Sequence, residues 1–539
     1  MIQFSFFRVE NNYLLTSLIL SVLLCWVILS GRQGPLIELY DYGEHAASVR
    51  ELSNHLLSPQ NPLLAADGST TLRYTPYILL LATVKKIFLL NLFSTIEIAS
   101  VVSFLFFIMG LYLWGKEYFQ DAKMPLYLLL TLLFFWGKPF NYSNEYSLRF
   151  LTYSLFYPST LTFNLSFLGF YLILSYARSE KLRYYFLYLV VAVFIFLTHP
   201  LTASFFLLGA GLHVCSEGDK RLKHTLLFAV SLVIILAAAL LWPYHPLWDA
   251  LIASTSTDWY YPFRTYLYEI RNIYRMGPAL LGLPVVLFFL MKKQYDFISR
   301  GFILCASIYV LSYVANIRLG ERYIFFSIFF LHLALAWYLS TLKIASPGAI
   351  RKTLATLNEK NLHVLFFLII ALLSTGYQLA KLGCEQAGFV LDFKPRPVLT
   401  RYRNPLDNYV LLQGKIAAGD IVLSDPLTSW LLPAFTGAKI VALYHNNPLV
   451  ADNDQRVADA VFFYHPATSS AERKRIVQKY AVTHLLLNFE RMKENEVNRR
   501  NNYHLNFQID QRMVDDVQSM GEILFENNDL MLIKVTPHG

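Results

Sequence analysis

Charged residues are scarce in this chain: 15% of its 539 residues are Asp, Glu, Lys or Arg, where a soluble protein of that length carries about a quarter. That shortage excludes an ordinary cytosolic protein. Cysteine is scarcer, with four residues in all, which excludes a disulfide framework. Cys25, Cys215, Cys305 and Cys384 lie in or beside apolar runs without metal-ligand spacing and read as small core hydrophobes. Internal repeats and low-complexity segments are missing, and the C-terminal third holds no Gly-rich phosphate loop and no nucleophile elbow. What is present is apolar: 55% hydrophobic and 16% aromatic residues, with a mean hydropathy of +0.41. So much apolar surface excludes disorder. The formal charge of +9 would suggest nucleic acid in a soluble protein. Here Lys and Arg sit mostly in short loops between apolar runs, so membrane topology explains them and no nucleic-acid partner is expected.

A crossing needs about 20 apolar residues, fewer where flanking side chains snorkel. Runs of this kind fall near 13–30, 75–92, 96–114, 124–137, 153–176, 184–198, 200–215, 225–242, 279–291, 300–317, 322–341 and 362–381. Arg8 precedes the first, and no small-residue cleavage site follows it, so it reads as a retained anchor. Lys85 and Lys86 interrupt the run at 75–92, which either dips without crossing or is offset by a short span near 140–152. About 11–13 spans are expected. Basic loops at Arg178/Lys181/Arg183, Lys220/Arg221/Lys223, Lys292/Lys293/Arg300 and Lys343/Arg351/Lys352/Lys360 share one side, read as cytoplasmic. The opposite side then receives residues 31–74, 137–152, the His199-Pro200 turn, 243–278, the Arg318–Arg322 turn and everything after 381.

Beyond 384 the composition turns polar. Strand-like runs (Ile421–Ser424, Lys439–Leu443, His484–Phe489, Leu530–Val535) alternate with helix-like ones (Thr428–Phe435, Gln455–Phe463, Ala471–Tyr480). The expected architecture is an α-helical polytopic membrane domain over 1–384, including a first outer loop at 31–74, followed by an extracytoplasmic α/β domain over 385–539. Such a protein is multi-pass, in a plasma or inner membrane.

The first outer loop is the most informative stretch. In Asp41-Tyr42-Gly43-Glu44-His45, the two acids and the histidine stand at i, i+3 and i+4, one helical face. Asp at the N-cap with Glu at N3 is also the acidic form of a capping box, opening an amphipathic helix through Leu57. Both readings stand together. Downstream, Leu72-Arg73-Tyr74-Thr75-Pro76-Tyr77 leads into the next apolar run. Later come the Arg318-Leu319-Gly320-Glu321-Arg322-Tyr323 turn before a late span and a tail beginning Gly419-Asp420-Ile421-Val422-Leu423-Ser424-Asp425-Pro426.

An acidic loop after the first span, an aromatic-Pro entry to the second, that late turn and that tail together resemble the GT-C superfamily of membrane glycosyltransferases, of the protein mannosyltransferase and aminoarabinose transferase type. The resemblance implies a sugar taken from a polyprenyl-phosphate carrier on the outer side of the membrane. It implies a lipid, glycan or protein acceptor, and Asp41 or Glu44 as the base. Some members use a divalent ion, for which Asp41, Glu44 and His45 are the candidate ligands here.

The chemistry of such a site follows independently. A sugar leaving from a polyprenyl phosphate departs on an already acidic oxyanion, so positive charge around the phosphate helps and no general acid is needed. A carboxylate with a pKa of about 4 takes the acceptor proton late, as the oxocarbenium-like carbon draws in the oxygen. One carboxylate opposite the leaving group suffices, with inversion at the anomeric carbon. His45, Arg73, Tyr74, Arg149, His199, Arg264, Arg318 and Arg322 are the expected substrate-binding residues, with Arg271 and Arg275 as further cations. Most lie at span ends, where a snorkelling arginine needs no function. Glu145 sits beside Arg149 in a polar outer loop, and His199 reads equally as a cap for carbonyls freed by Pro200. The aromatics of 243–278 suit an interfacial belt or a lid. A transporter or lipid flippase for envelope glycan precursors is the rival class, although such proteins usually show paired repeats and helices broken at midplane. A non-catalytic membrane subunit is a third reading.

Overall fold

The computed structural model describes residues 3–30, 41–65, 71–137, 140, 142, 144–216, 220–244, 266–269, 272–315, 317, 319–342, 359–393, 397–401, 406–444, 449–489 and 510–536. Helices run in the order α1 (Gln3–Leu29), α2 (Tyr42–Asn54), α3 (Pro76–Ile87), α4 (Leu92–Phe119), α5 (Met124–Phe134), α6 (Leu148–Ser154), α7 (Pro158–Ser179), α8 (Leu182–Thr198), α9 (Pro200–Ser216), α10 (Arg221–Leu240), α11 (Ile273–Met276), α12 (Leu283–Lys292), α13 (Asp296–Val314), α14 (Tyr323–Thr341) and α15 (Glu359–Gln386). A hairpin follows, β1 (Phe389–Phe393) with β2 (Pro397–Arg401). The tail then alternates α16 (Asp407–Leu412), β3 (Ile421–Leu423), α17 (Pro426–Ser429), α18 (Leu432–Thr436), β4 (Lys439–Ile440), α19 (Asn453–Phe463), α20 (Ser470–Lys479), β5 (His484–Asn488), α21 (Gln511–Gln518), β6 (Gly521–Glu526) and β7 (Leu530–Val535).

Among the described residues, eight helices are long and apolar enough to cross a membrane, and three shorter apolar helices accompany them at Met124–Phe134, Leu182–Thr198 and Pro200–Cys215. The chain is an integral membrane protein of mainly helical fold with a small C-terminal sheet domain, as expected. The doubtful run at 75–92 becomes α3, which has 12 residues. At 1.5 Å per residue such a helix rises only about 18 Å, far short of a hydrocarbon core of about 30 Å. Nor do the described residues near 140–152 hold a span, since α6 has seven residues.

The chain divides into two compact units. One comprises Met1–Gln33, Glu97–Leu241 and Phe263–Arg401; the other comprises Gly34–Ile96, Trp242–Pro262 and Tyr402–Gly539.

In the first unit, α7 and α14 bury their side chains almost all round. By contrast, α10 leaves Leu226, Val230, Val233 and Leu240 exposed. A helix apolar on every side must find either protein or lipid on every side, and this bundle uses both solutions. Close packing needs small residues: a Cβ on Gly110 of α4 would lie 3.0 Å from Leu168 N and 3.3 Å from Asn164 O of α7. Asn164 Nδ2 in turn donates to Ser103 O and Oγ, both at 3.0 Å. The interior is aromatic, with Trp114 against Phe167, Phe170, Phe297 and Phe329.

In the second unit a five-stranded sheet has the order β4-β3-β5-β7-β6. Strand β3 pairs in parallel with β4 and with β5, and β7 is antiparallel to both β5 and β6. All five residues of β5 are buried, which accounts for its continuous apolar centre Leu485-Leu486-Leu487. Leu423, Val457, Phe463, Ile476, Leu485, Val517 and Ile533 form the core on this sheet. The helix-like run Thr428–Phe435 is broken: α17 ends at Ser429 and α18 starts at Leu432, with Pro433 in its first turn. Strand β6 and helix α21 were not anticipated, because Gly521-Glu522-Ile523-Leu524-Phe525-Glu526 and Gln511–Gln518 carry too few apolar positions to stand out.

The same unit contains the first outer loop. Ile440 N donates to Leu63 O at 2.7 Å, and Leu64 bridges Ile440 in parallel. A segment far upstream thus adds a fragment of strand beside β4.

Candidate active site

Asp41 occupies the N-cap position of α2, yet its side chain makes no capping hydrogen bond. It turns instead to Arg73. Arg73 Nη2 donates to Asp41 Oδ2 at 3.1 Å and to Glu44 Oε2 at 2.5 Å. The capping-box reading therefore fails at its first hydrogen bond: a full positive charge outcompetes a backbone N–H for the carboxylate. The helix also ends earlier than expected, at Asn54, and is buried on most of its length rather than amphipathic. The one-face reading of Asp41 and Glu44 survives, because both meet the same nitrogen.

The two carboxylates differ in access. The Glu44 side chain is 9% exposed, whereas that of Asp41 is 37% exposed and that of Arg73 29%. Burial pulls the Arg73 guanidinium down, but Glu44 and Asp41 outweigh it and hold it above its usual range.

Arg73 is presented by a tight entry to α3. Its own N–H donates to Thr71 Oγ1 at 3.2 Å and its carbonyl accepts from Thr75 N at 2.8 Å. Thr75 caps α3 by accepting from Ile78 N, with Pro76 beginning the helix. Tyr74 is buried, with its hydroxyl donating to Gln60 O and its carbonyl accepting from Trp242 Nε1 at 2.8 Å. Burial raises the Tyr74 phenol well above its ordinary range. His45 is 4% exposed, and its backbone N–H donates to Asp41 O at 3.0 Å. Among the described residues no group of three or more His, Cys, Asp or Glu is arranged to hold a metal ion. Asp41 and Glu44 are bridged by a guanidinium rather than left open as ligands.

The other expected residues lie in the first unit. Arg149 is buried, its Nε and Nη2 donating to Glu385 Oε1 at 2.9 and 2.5 Å, while Tyr153 OH donates to Glu385 Oε2 at 2.7 Å. Glu145 is buried too, accepting from Phe140 N at 2.8 Å and from Ser147 Oγ at 2.5 Å. His199 caps both neighbouring helices: its N–H donates to Ile195 O at 2.9 Å at the end of α8, and its side chain serves the helix after it. Thr202 N donates to its Nδ1 at 3.2 Å, at the first turn of α9. Arg322 lies over the ring of Tyr142 at 5.4 Å and Arg275 over Phe140 at 5.6 Å. Arg264, Arg271 and Arg318 lie outside the described residues, as does 245–265 of the aromatic loop; its described start has Tyr244 OH donating to Leu56 O at 3.0 Å. Sequence reasoning missed Glu385, Tyr153 and Phe140. Each earns its place through a partner far away in the chain, which no local pattern reveals.

Among solved structures, the chain is similar to ArnT from Cupriavidus metallidurans in the apo state, with 12% identity, 97% of this chain and 98% of that one covered, and a TM-score of 0.53. It is also similar to the oligosaccharyltransferase of Archaeoglobus fulgidus. The form tethered to an acceptor peptide containing the NVT sequon gives 12% identity, coverage of 88% and 69%, and a TM-score of 0.51. The form of that enzyme, AglB, in complex with an inhibitory peptide and a dolichol-phosphate gives 11% identity, coverage of 89% and 70%, and a TM-score of 0.51. At such identities the likeness is one of fold. No family model matches the sequence, and no curated protein matches it.

Proposed function

We propose that this protein is a membrane glycosyltransferase that moves a sugar from a polyprenyl-phosphate carrier to an acceptor on the extracytoplasmic side, with inversion. The Asp41–Arg73–Glu44 cluster carries the reading. Two carboxylates tied to one arginine are unusual furniture for an outer loop that only joins two spans. Their unequal exposure supports a division of roles, with Asp41 as the base and Glu44 as the anchor of Arg73. The acceptor oxygen bonds to the anomeric carbon while the bond from that carbon to the phosphate oxygen breaks. The electron pair leaves with the polyprenyl phosphate, and the acceptor proton passes to Asp41.

The departing phosphate calls for cations, and Arg322 and Arg275 are the candidates among the described residues, since an aromatic face supports each guanidinium. A fold relative solved with dolichol-phosphate is consistent with a lipid-phosphate carrier. Arg149 and His199 serve their surroundings, through Glu385 and α9. Asp41 and Glu44 would have to part from Arg73 to hold a divalent ion, which would supply positive charge there; no step is routed through one. The sugar and the acceptor are to be read from mass analysis of envelope glycolipids and glycans with and without the protein. Asp41→Asn should lower transfer by about 10²–10⁴-fold, the usual worth of a general base, while the protein still folds. Normal transfer by that variant removes Asp41 from the mechanism.

A further inference from the structure

We propose that the C-terminal domain is a working part of the catalytic centre: its segment Trp430–Ile440 seats helix α2 and so fixes where Asp41 and Glu44 stand. The proposal rests on the reading of those carboxylates given above. Three contacts within the second unit carry it, spaced along the helix from one end to the other.

At the first turn the fit is one of shape. Gly43 lies between the two acids, and a Cβ there would stand 2.8 Å from both Trp430 O and Leu431 Cδ2. Only glycine lets α2 approach the tail backbone so closely. Two turns on, Arg50 donates from Nε to Ala434 O and from Nη2 to Phe435 O, each at 3.1 Å. These are last-turn carbonyls of α18, groups that a helix end leaves without intrahelical partners. Next to it Glu51 accepts from Lys439 Nζ at 3.3 Å and from Gln60 N at 3.1 Å, and Lys439 Nζ also donates to Asn61 O at 2.5 Å.

The seat is itself rigid. Trp430 is fully buried with its ring 5.9 Å from that of Tyr444, and Phe435 packs on Phe93 and Tyr409 at 4.8 and 5.6 Å. A 13-residue helix is marginal by itself in water, so the direction of α2 is supplied by what it rests on. Displacements of about 1 Å cost on the order of 100-fold in rate. Gly43, Arg50, Glu51 and Lys439 are positioning residues acting through Asp41 and Glu44.

The test is hydrogen–deuterium exchange on the full-length protein in lipid nanodiscs, comparing Arg50→Met, Lys439→Glu, Glu51→Lys and the double swap Glu51→Lys/Lys439→Glu. The single variants should raise exchange in residues 42–54 by about tenfold while α7 and α14 keep their protection, and the swap should recover the ion pair's share of that loss though not the bonds to Gln60 and Asn61. Gly43→Ala should act like the singles by shape alone. Unchanged protection of α2 overturns the proposal, and so does an even loss across both units that the swap does not repair. Sugar transfer is read separately through Asp41→Asn. If α2 loosens in Arg50→Met while Asp41→Asn transfers normally, the seat stands and the glycosyl-transfer reading fails.

Discussion

Arg73 lets two acids stand side by side. Without it Asp41 and Glu44 would repel at close range and move apart. Arg73→Gln should therefore displace Asp41 and lower transfer by on the order of 100-fold. Arg73→Lys should lose less, because an ammonium still bridges, though without a planar fork. Transfer by Arg73→Gln at the wild-type rate would show that Arg73 does not hold the base in place. Arg149 and Glu385 make a contrasting pair, buried together inside the first unit. Breaking it with Glu385→Ala leaves an uncompensated charge and should cost about 3–5 kcal/mol, while Arg149→Met/Glu385→Leu should recover most of that loss. Thermal melting in detergent measures both.

Helix α2 is held at its far end by an ion pair, so its docking depends on pH. Burial alone would raise the Glu51 carboxyl, but the Gln60 N–H, Lys439 and His55 overcome it and hold it below its ordinary value. A depressed carboxylate contributes stability that is present above its unfolded value of about 4.3 and is lost as the pH falls through the lower folded value. Amide exchange in α2 should accordingly rise below about pH 4, and Glu51→Gln should abolish that dependence. Elements of this kind were unevenly legible in the sequence. The long spans could be read directly, because twenty apolar residues have few other uses. Asp41 and Glu44 could be placed on one face from their spacing. That Asp41 forgoes its cap could not be read, since the choice depends on Arg73 arriving from 32 residues away. Nor could the strand fragment at Leu63–Leu64, whose partner Ile440 lies in the tail. Short strands such as β4, with two residues, owe their existence to neighbours rather than to their own composition.

At the scale of the molecule, the eight long and three shorter apolar helices among the described residues give an odd tally if each crosses, which would set the chain's start and its tail domain on opposite faces. In a background lacking the four native cysteines, Gln455→Cys should react with an impermeant maleimide in intact cells, and Lys292→Cys only after permeabilisation. Both positions are exposed, and reaction of both from outside would break the arrangement. The tail sheet also bears on how copies of the protein behave when crowded on a membrane. Its β4 border is shielded by Leu63–Leu64, and its β6 border carries a bulge between Ile523 and Phe525. An outermost strand with a regular ladder is a template for any similar strand nearby, whereas a bulged one twists its free amides out of line. Protein drawn from lipid at high concentration should thus stay free of strand-to-strand aggregates seeded by this sheet.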